Sequence, residues 1–244
     1  MATPLASNLA AVRGRIEAAA RRAGRDPGEV TLVGVSKTMP PQRLREAIDA
    51  GLTDVGENKV QEARDKAPLV GPGARWHLVG HLQGNKANLA ARLFDVVHSI
   101  DSVEILARLE SGAVAAGRRL DALVQADLAG EATKSGARPA AIEAILAAAA
   151  GCTAVRVRGL MILPPYDADP ERSRPWFRRL RELLAECRGR HPRLEMDELS
   201  MGMTEDFEVA IEEGATMVRV GRALFGERRM APAGAGRGEK GEAP

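Results

Sequence analysis

The feature that most constrains the fold is a repeated alternation between short apolar strands and helical segments. We identify eight strand-type segments between residues 31 and 221, and a helical segment follows each of them. Strands that are separated by helices pair in parallel. Eight such units in a chain of 244 residues predict a single α/β domain, a closed (β/α)8 TIM barrel. An open doubly wound sheet is the alternative.

The predicted strands share runs of β-branched and aliphatic residues, and half of them end on a polar residue. They cover residues 31–37, 54–58, 75–82, 95–101, 120–129, 157–163, 194–200 and 216–221. Before them, apolar residues at helical spacing predict an extra N-terminal amphipathic helix, with one face formed by Leu5, Leu9, Val12 and Ile16. The barrel domain is expected over residues 1–228. The tail 229–244 is poor in apolar residues and is expected to be disordered.

The charge balance and the cysteine content limit the classes of partner. The net charge is +2, from 35 basic and 33 acidic residues, which gives no reason to expect nucleic acid or an anionic membrane as a partner. The apolar runs are too short to span a bilayer. Cys152 and Cys187 are far apart and lack metal-ligand spacing, so we interpret both as packing residues of a reduced, cytoplasmic protein.

Unusual polar residues cluster where the predicted strands end. In a (β/α)8 barrel these ends share one face, the C-terminal mouth, which carries the chemistry. The residues expected at the mouth are Lys37, Asn58, His81, Gln83, Ser99, Asp101, Met161, Ser200, Arg219 and Gly221. Their clustering is stronger evidence for a site than any one of them.

Lys37 ends the first predicted strand, "VTLVGVSK". If Val33 and Val35 fill the barrel, the alternation of strand side chains points Lys37 into the mouth. An amine among apolar walls loses hydration, so its pKa falls and its neutral form can bond an aldehyde as a Schiff base. The alternative is a surface lysine whose ammonium group reaches solvent.

The last two strands lead into loops that suit a phosphate group. Ser200 and Thr204 stand where one loop enters a helix, and Gly221 and Arg222 begin the final short helix. Free N–H groups at helix N-termini bind phosphate, and barrels often build such a site after strands 7 and 8. Thr204 is also a candidate N-cap, which is compatible with that role.

Arg219 lies on the same face of the last strand as Gly221, so it is expected inside the mouth. A buried guanidinium needs an acceptor. Either Glu57 or Asp127 supplies a carboxylate, or a ligand supplies a ring nitrogen. A reactive lysine, a phosphate cradle and an arginine that faces a ring nitrogen together describe pyridoxal 5′-phosphate (PLP).

Seven segments between residues 30 and 226 carry a family resemblance. They are "LVGVSKTMP", "GENKVQEARDKA", "WHLVGHLQGNK", "VHSIDS", "GEATKSG", "GLMILPPY" and "LSMGMTEDFEVAIEEGATMVRVGRALFG". With these motifs in this order, the chain resembles the pyridoxal phosphate homeostasis proteins, small PLP-binding proteins with a barrel like the N-terminal domain of alanine racemase. The resemblance implies that Lys37 holds PLP covalently as a Schiff base. It also implies a phosphate site, largely of backbone N–H groups, at Ser200, Gly221 and Arg222.

The same resemblance implies that Arg219 faces the pyridine nitrogen and that Asn58 and Met201 line the cofactor. The chain departs from the family pattern at Arg222, where a small hydroxyl residue, commonly threonine, is expected. Arg222 then either supplies its charge or contributes its N–H alone. Because an arginine is always charged and cannot accept a proton, the ring nitrogen should stay unprotonated and carbanion chemistry should be subdued.

Two functions follow from the resemblance. The first is PLP binding for intracellular PLP (vitamin B6) and amino acid homeostasis without robust catalysis, with PLP-requiring apoenzymes as candidate recipients. The second is an amino acid racemase of low activity, which needs a second base, and Tyr166 and His81 are the candidates. The chain ends after the barrel, without the racemases' β domain, so a monomer is expected. Lys134 is either a second PLP-accepting amine or a solvated charge.

Overall fold

The strands close into a parallel barrel. The computed structural model of the protein describes residues 3–130 and 135–226. Each strand pairs in parallel with the next, and the last pairs with the first. The strands are β1 (Thr31–Val35), β2 (Asp54–Glu57), β3 (Arg75–Leu78), β4 (Val96–Ile100), β5 (Leu120–Gln125), β6 (Val155–Met161), β7 (Glu198–Ser200) and β8 (Met217–Val220). The predicted (β/α)8 barrel is therefore confirmed, and the open sheet is excluded.

Helices cover the outside of this barrel. Within the described residues they are α1 (Pro4–Arg22), α2 (Pro41–Asp49), α3 (Val60–Val70), α4 (Ala87–Leu93), α5 (Val103–Ala116), α6 (Pro139–Ala149), α7 (Arg174–Arg190), α8 (Phe207–Glu212) and α9 (Arg222–Phe225). The extra helix α1 packs against α8 and α9, and its four predicted apolar residues are buried. None of the described helices combines the length and the apolar character that a membrane span requires.

Several strands end earlier than the sequence predicted. β1 ends at Val35 and β3 at Leu78, whereas the predicted strands reached residues 37 and 82. One further hydrogen bond to β2 follows each of these ends, from the Ser36 N–H to the Gly56 carbonyl oxygen and from the Val79 N–H to the Glu57 carbonyl oxygen, both at 2.9 Å. Lys37, Asn58 and His81 therefore lie in loops, whereas Ser99, Ser200 and Arg219 lie within β4, β7 and β8. The predicted tail, 229–244, lies outside the described residues.

Side chains of β1 alternate between the barrel interior and the helical shell. The γ-methyl groups of Val33 and Val35 lie 3.0 and 3.5 Å from the position that a Cβ on Gly56 of β2 would take. Gly34, which stands between them, faces Leu224 of α9 on the helical side. The expectation that these two valines fill the barrel is confirmed.

Candidate functional site

The residues that are expected to bind the cofactor come from four neighbouring strands. β7, β8, β1 and β2 are consecutive in the closed barrel. Val33 of β1 lies opposite Arg219 of β8, and Val35 lies opposite Gly56 of β2. Closure of the barrel therefore gathers distant parts of the sequence on one side of the mouth. The expected residues on or directly after these strands are Lys37, Asn58, Ser200, Met201, Arg219, Gly221 and Arg222.

Lys37 lies in a sharp turn directly after β1 and is half-buried. The next residue, Thr38, has a φ of 67°, in the left-handed region that is strained for a β-branched side chain. Two hydrogen bonds hold the turn. The Met39 N–H donates to the Ser36 carbonyl oxygen at 2.9 Å, and the Thr38 N–H donates to Glu62 Oε1 at 2.5 Å. The second of these is a tertiary contact, so α3 helps to set the turn that carries Lys37.

A buried ion cluster, here called the Lys66 clamp, lies next to this turn and consists of Ser36, Glu57, Glu62 and Lys66. The Lys66 ammonium donates to the Ser36 carbonyl oxygen at 2.9 Å, to Glu57 at 2.8 Å and to Glu62 at 2.6 Å. The Lys66 side chain is 9% exposed and that of Glu57 is fully buried. Burial raises the pKa of Glu57, although hydrogen bonds from Lys66 and Ser36 oppose that shift. The clamp joins β2 and α3 to the end of β1.

Arg219 lies inside the barrel and is 4% exposed. Its Nη1 donates to Ser200 Oγ at 2.5 Å, and its Nη2 donates to the Ile162 carbonyl oxygen at 2.8 Å. Burial lowers the pKa of Arg219 to about 10, so the guanidinium stays charged at neutral pH. Among the described residues neither expected carboxylate pairs with it, because Glu57 bonds to the clamp and Asp127 accepts a backbone N–H of its own loop. Its other N–H groups can meet an acceptor at the mouth.

Gly221 and Arg222 form the start of the single-turn helix α9. The N–H groups of Arg222 and Ala223 have no acceptor within that turn, because its hydrogen bonds begin at the next residue. A Cβ on Gly221 would lie 3.3 Å from the Val35 carbonyl oxygen, so a side chain there would crowd β1. The Arg222 guanidinium is exposed and donates to Glu205 Oε1 at 2.7 Å. Arg222 is therefore directed towards the loop after β7.

The loop after β7 differs from the expectation at Thr204. Helix α8 begins at Phe207, and Asp206 rather than Thr204 occupies the N-cap position. Asp206 Oδ1 accepts the Met203 N–H at 2.7 Å, which closes a turn and keeps Thr204 outside the helix. Gly202, with a φ of 89°, starts this loop in a conformation that favours glycine. The interpretation of Thr204 as an N-cap is therefore wrong.

Asn58 and Met201 take different positions. Asn58 is half-buried and follows β2 in alternation with the inward-facing Gly56. Met201 is fully buried in the core between the barrel and its helices, because it alternates with Ser200, whose hydroxyl lies inside the barrel. A ligand at the mouth would therefore meet Met201 through its backbone. Both cofactor-lining roles stay predictions.

Replacing Gly80 with alanine is expected to destabilise the protein by about 1–3 kcal/mol. A Cβ on Gly80 would lie 2.2 Å from the Asn58 carbonyl oxygen, so the backbone of one of the two loops must shift. Gly14→Ala in α1 is the matched control, because nothing lies within 4 Å of its Cβ position and alanine favours a helix. Urea unfolding should give a lower midpoint than that of the wild type for Gly80→Ala but not for Gly14→Ala. A midpoint equal to that of the wild type would contradict the close approach.

A chain of hydrogen bonds that the sequence pattern did not reveal crosses the barrel interior. His77 Nε2 lies 2.9 Å from Asp54 Oδ1, and His77 Nδ1 lies 2.9 Å from His98 Nε2. His98 Nδ1 lies 2.8 Å from Ser200 Oγ, which also accepts from Arg219. All five side chains are buried. They stand at inward-facing positions of five different strands. The sequence signal that could have identified them is a polar residue at an inward-facing position of an otherwise apolar strand.

The remaining candidates at the mouth are less deeply placed. His81 Nδ1 lies 3.3 Å from Asp101 Oδ2, and the His81 side chain is 47% exposed. Burial raises the pKa of Asp101, against the opposing effect of His81. Tyr166, in the loop after β6, is 81% exposed. Lys134 lies outside the described residues.

The two cysteines have the properties of packing residues. Burial raises the pKa of Cys152 to about 11, with a further contribution from Glu110. Burial also raises the pKa of Cys187, which is 1% exposed. A thiol with a raised pKa is a poor nucleophile at neutral pH. Over residues 3–130 and 135–226, no group of three or more side chains is arranged to hold a metal ion.

The fold and the site define a single parallel (β/α)8 barrel with a lysine after its first strand and a buried arginine on its last. A model of the family described as "Alanine racemase, N-terminal domain" matches residues 7–229. The chain belongs to this family and, by the relatives that follow, to the pyridoxal phosphate homeostasis proteins within it.

Relatives of nearly the same length carry the more specific similarity. The pyridoxal phosphate homeostasis protein of Pseudomonas aeruginosa is 44% identical over 225 residues, which are 92% of this chain and 96% of that protein. The protein of the same name from Escherichia coli K12 is 42% identical over 228 residues, 92% of this chain and 97% of that protein. The structure of PipY from Synechococcus elongatus PCC7942 with PLP bound has a TM-score of 0.81 and 37% identity, over 91% of this chain and 100% of PipY.

Proposed function

We propose that this protein binds PLP, holds it as a Schiff base on Lys37 Nζ, and acts in intracellular PLP (vitamin B6) and amino acid homeostasis without robust catalysis. The observation that carries the proposal is that Lys37, the Ser200–Arg219 pair and the first turn of α9 lie on neighbouring strands of one mouth. The names of the two bacterial relatives and the PLP in the PipY structure support it.

The chemistry of these groups fits the three reactive parts of PLP. A lysine amine suits the aldehyde carbon. The N–H groups of Arg222 and Ala223, which lack an acceptor within α9, suit the phosphate. The Arg219 guanidinium, which can only donate, suits the lone pair of the pyridine nitrogen. Gly221 supports the fit, because the missing side chain leaves the backbone of the turn accessible beside β1.

Arg219 is also the reason to expect little catalysis. PLP supplies an electron sink when it is bound, and a carboxylate partner that keeps its ring nitrogen protonated would strengthen that sink. The Arg219 pKa of about 10 keeps the guanidinium a donor at neutral pH. A donor in this position stabilises the unprotonated ring nitrogen. The residues of this chain are therefore better suited to holding PLP than to stabilising a substrate carbanion.

An amino acid racemase of low activity is the second candidate function. The contact of 3.3 Å between His81 and Asp101 favours it, because a carboxylate beside an imidazole can orient a base at the mouth. PLP-loaded protein is expected to racemise alanine no faster than free PLP does. Racemisation that is faster than this and is lost in His81→Gln would establish the second candidate instead.

The experiment that tests PLP binding starts with the purified protein and added PLP. A visible absorption band of bound PLP is expected, and borohydride reduction followed by peptide mass mapping should place a phosphopyridoxyl group on Lys37. Labels scattered over exposed lysines, or no loading, would overturn the proposal. Sedimentation of the same sample tests the proposed monomer. Incubation with a PLP-requiring apoenzyme tests transfer to the proposed recipients.

Replacing Arg222 with alanine is expected to change the PLP dissociation constant by less than about fivefold. The guanidinium pairs with Glu205, both side chains are more than half exposed, and alanine retains the backbone N–H. Gly221→Val is the contrasting variant, because its side chain would crowd Val35, and it should weaken binding far more. Spectroscopic titration measures both. An equally large loss in Arg222→Ala would show that the guanidinium itself binds the phosphate.

A further inference from the structure

The two ends of the buried hydrogen-bond chain have fixed roles. Arg219 carries only N–H groups and can only donate, here to Ser200. An ionised Asp54 can only accept, and it does so from His77 and from the Thr53 hydroxyl at 2.7 Å. Burial opposes the ionisation of Asp54, but these hydrogen bonds outweigh it and lower its pKa. The chain therefore has a donor at the mouth and an acceptor at the opposite end of the barrel.

The two histidines between these ends continue the same donor-to-acceptor direction through their hydrogen bonds. A neutral imidazole has one N–H donor and one acceptor nitrogen. Because His77 Nε2–H donates to Asp54, His77 Nδ1 must accept from His98 Nε2–H. His98 Nδ1 is then an acceptor, and its partner at 2.8 Å is the Ser200 hydroxyl. Each donor of this hydrogen-bond chain therefore points its hydrogen away from the mouth.

The groups around His98 favour its neutral imidazole. Burial lowers the pKa of His98 well below its ordinary value, and His77, Arg219 and Arg75 lower it further. The Arg75 guanidinium also lies 3.9 Å from Asp54 and stabilises the carboxylate. The reversed direction would require a proton on Asp54 or a charged imidazole. Both states are opposed by these arginines.

We propose that Asp54, His77 and His98 are positioning residues that direct the Ser200 hydroxyl hydrogen into the barrel. Ser200 then presents oxygen lone pairs that hold Arg219, and it has no hydroxyl hydrogen to donate to a ligand at the mouth. This inference deepens the proposed function and depends on it only for the identity of the ligand. A PLP phosphate would be held by backbone N–H groups, and Ser200 would act on the ligand through Arg219.

Histidine side-chain nitrogen NMR of the full chain without PLP tests the proposal. The chain has four histidines, so single His→Gln variants assign the spectrum. His77 and His98 are both expected as Nε2–H tautomers, with Nδ1 unprotonated in each. An Nδ1–H tautomer or an imidazolium at His98 would overturn the proposal. Because no PLP is present, a failure of PLP binding leaves this result unaffected.

Substitutions in the buried hydrogen-bond chain separate positioning from packing. Asp54→Leu removes the acceptor of His77 Nε2–H, so the direction of the hydrogen bonds is no longer fixed at this end and an Nδ1–H population is expected to appear at His98, which lies two residues along the chain of contacts. Asp121→Leu is the matched control, since Asp121 pairs with Arg75 and Arg156 at the same end of the barrel and should leave His98 unchanged. An unchanged His98 in folded Asp54→Leu would contradict the proposal.

A second variant covers the case in which Asp54→Leu does not fold. Ser200→Ala removes the donor to His98 Nδ1 and the acceptor of Arg219, and it leaves the contacts of His98, His77 and Asp54 with one another in place. The His98 Nδ1 resonance should move to the position of an acceptor without a hydrogen bond, while the Nε2–H tautomer is kept. No change at Nδ1 would show that the Ser200 hydrogen points elsewhere, and would overturn the proposal.

Discussion

Replacing Lys37 with alanine is expected to remove the covalent PLP label completely, from about one label per chain to none. Lys37 is half-buried and lies directly after β1, beside the strained residue Thr38. Among the other described lysines, Lys66 is engaged by three oxygen acceptors in the clamp, and Lys59 is exposed. Borohydride reduction of PLP-treated protein and peptide mass mapping give the readout.

Two comparisons make this result specific to the amine. Lys59→Ala is the matched control, since Lys59 is exposed and follows Asn58 at the same mouth, and it should keep the full label. Circular dichroism should show that Lys37→Ala remains folded. A label that persists undiminished in Lys37→Ala would contradict the proposed attachment. Its mapping to Lys134 would identify the second amine that the sequence suggests.

The fold was predictable because it depends on local patterns. Strand-type segments that alternate with amphipathic helices specify parallel pairing, and the confirmed inward placement of Val33 and Val35 follows from a period of two. The placement of Ser200 and Arg219 inside the barrel follows from the same rule. These features need no knowledge of which strands are neighbours across the closed sheet.

The partners of the inward residues were not predictable in the same way. His77 bonds to residues 23 and 21 positions away, and His98 bonds to a residue 102 positions away, so the contacts exist only once the barrel closes. Glu57 shows the same difficulty, because it was considered as a partner of Arg219 and instead faces α3. Alternation along a strand predicts which side of the sheet a side chain faces. The shear and closure of the barrel determine which other side chains it contacts there.

Local competition explains the errors at helix starts. Thr204 has the residue type of an N-cap. Asp206 instead closes the turn by accepting the Met203 N–H, so the N-cap of α8 lies two residues beyond Thr204. The strained φ of Thr38 had no sequence signal either, since threonine is a poor choice for that conformation. The contact from Glu62 that stabilises it comes from the next helix.

Replacing Lys66 with methionine is expected to lower the free energy of unfolding by about 3–5 kcal/mol at neutral pH. The substitution keeps an unbranched side chain of similar length but removes the charge that faces the fully buried Glu57. Glu57 then keeps only the Ser36 hydroxyl as a donor, at 2.6 Å. Lys59→Met is the exposed control and should change stability by no more than about 0.5 kcal/mol. Urea unfolding measures both variants.

Lys66→Met is expected to lower the free energy of unfolding by an amount, here called the deficit, that depends on pH. This pH dependence distinguishes a lost ion pair from lost packing. Burial already raises the pKa of Glu57 above its ordinary value of 4.5, and loss of Lys66 removes the main group that opposes this shift. A carboxyl group whose pKa is raised by folding favours the folded state when it is protonated, and this benefit is lost as the pH rises through the raised pKa. The loss of stability should therefore be larger at about pH 8 than at about pH 5, because Glu57 takes up a proton as the pH falls through its raised pKa. A deficit of the same size at both pH values would mean that Lys66 stabilises the turn beside Lys37 by packing alone.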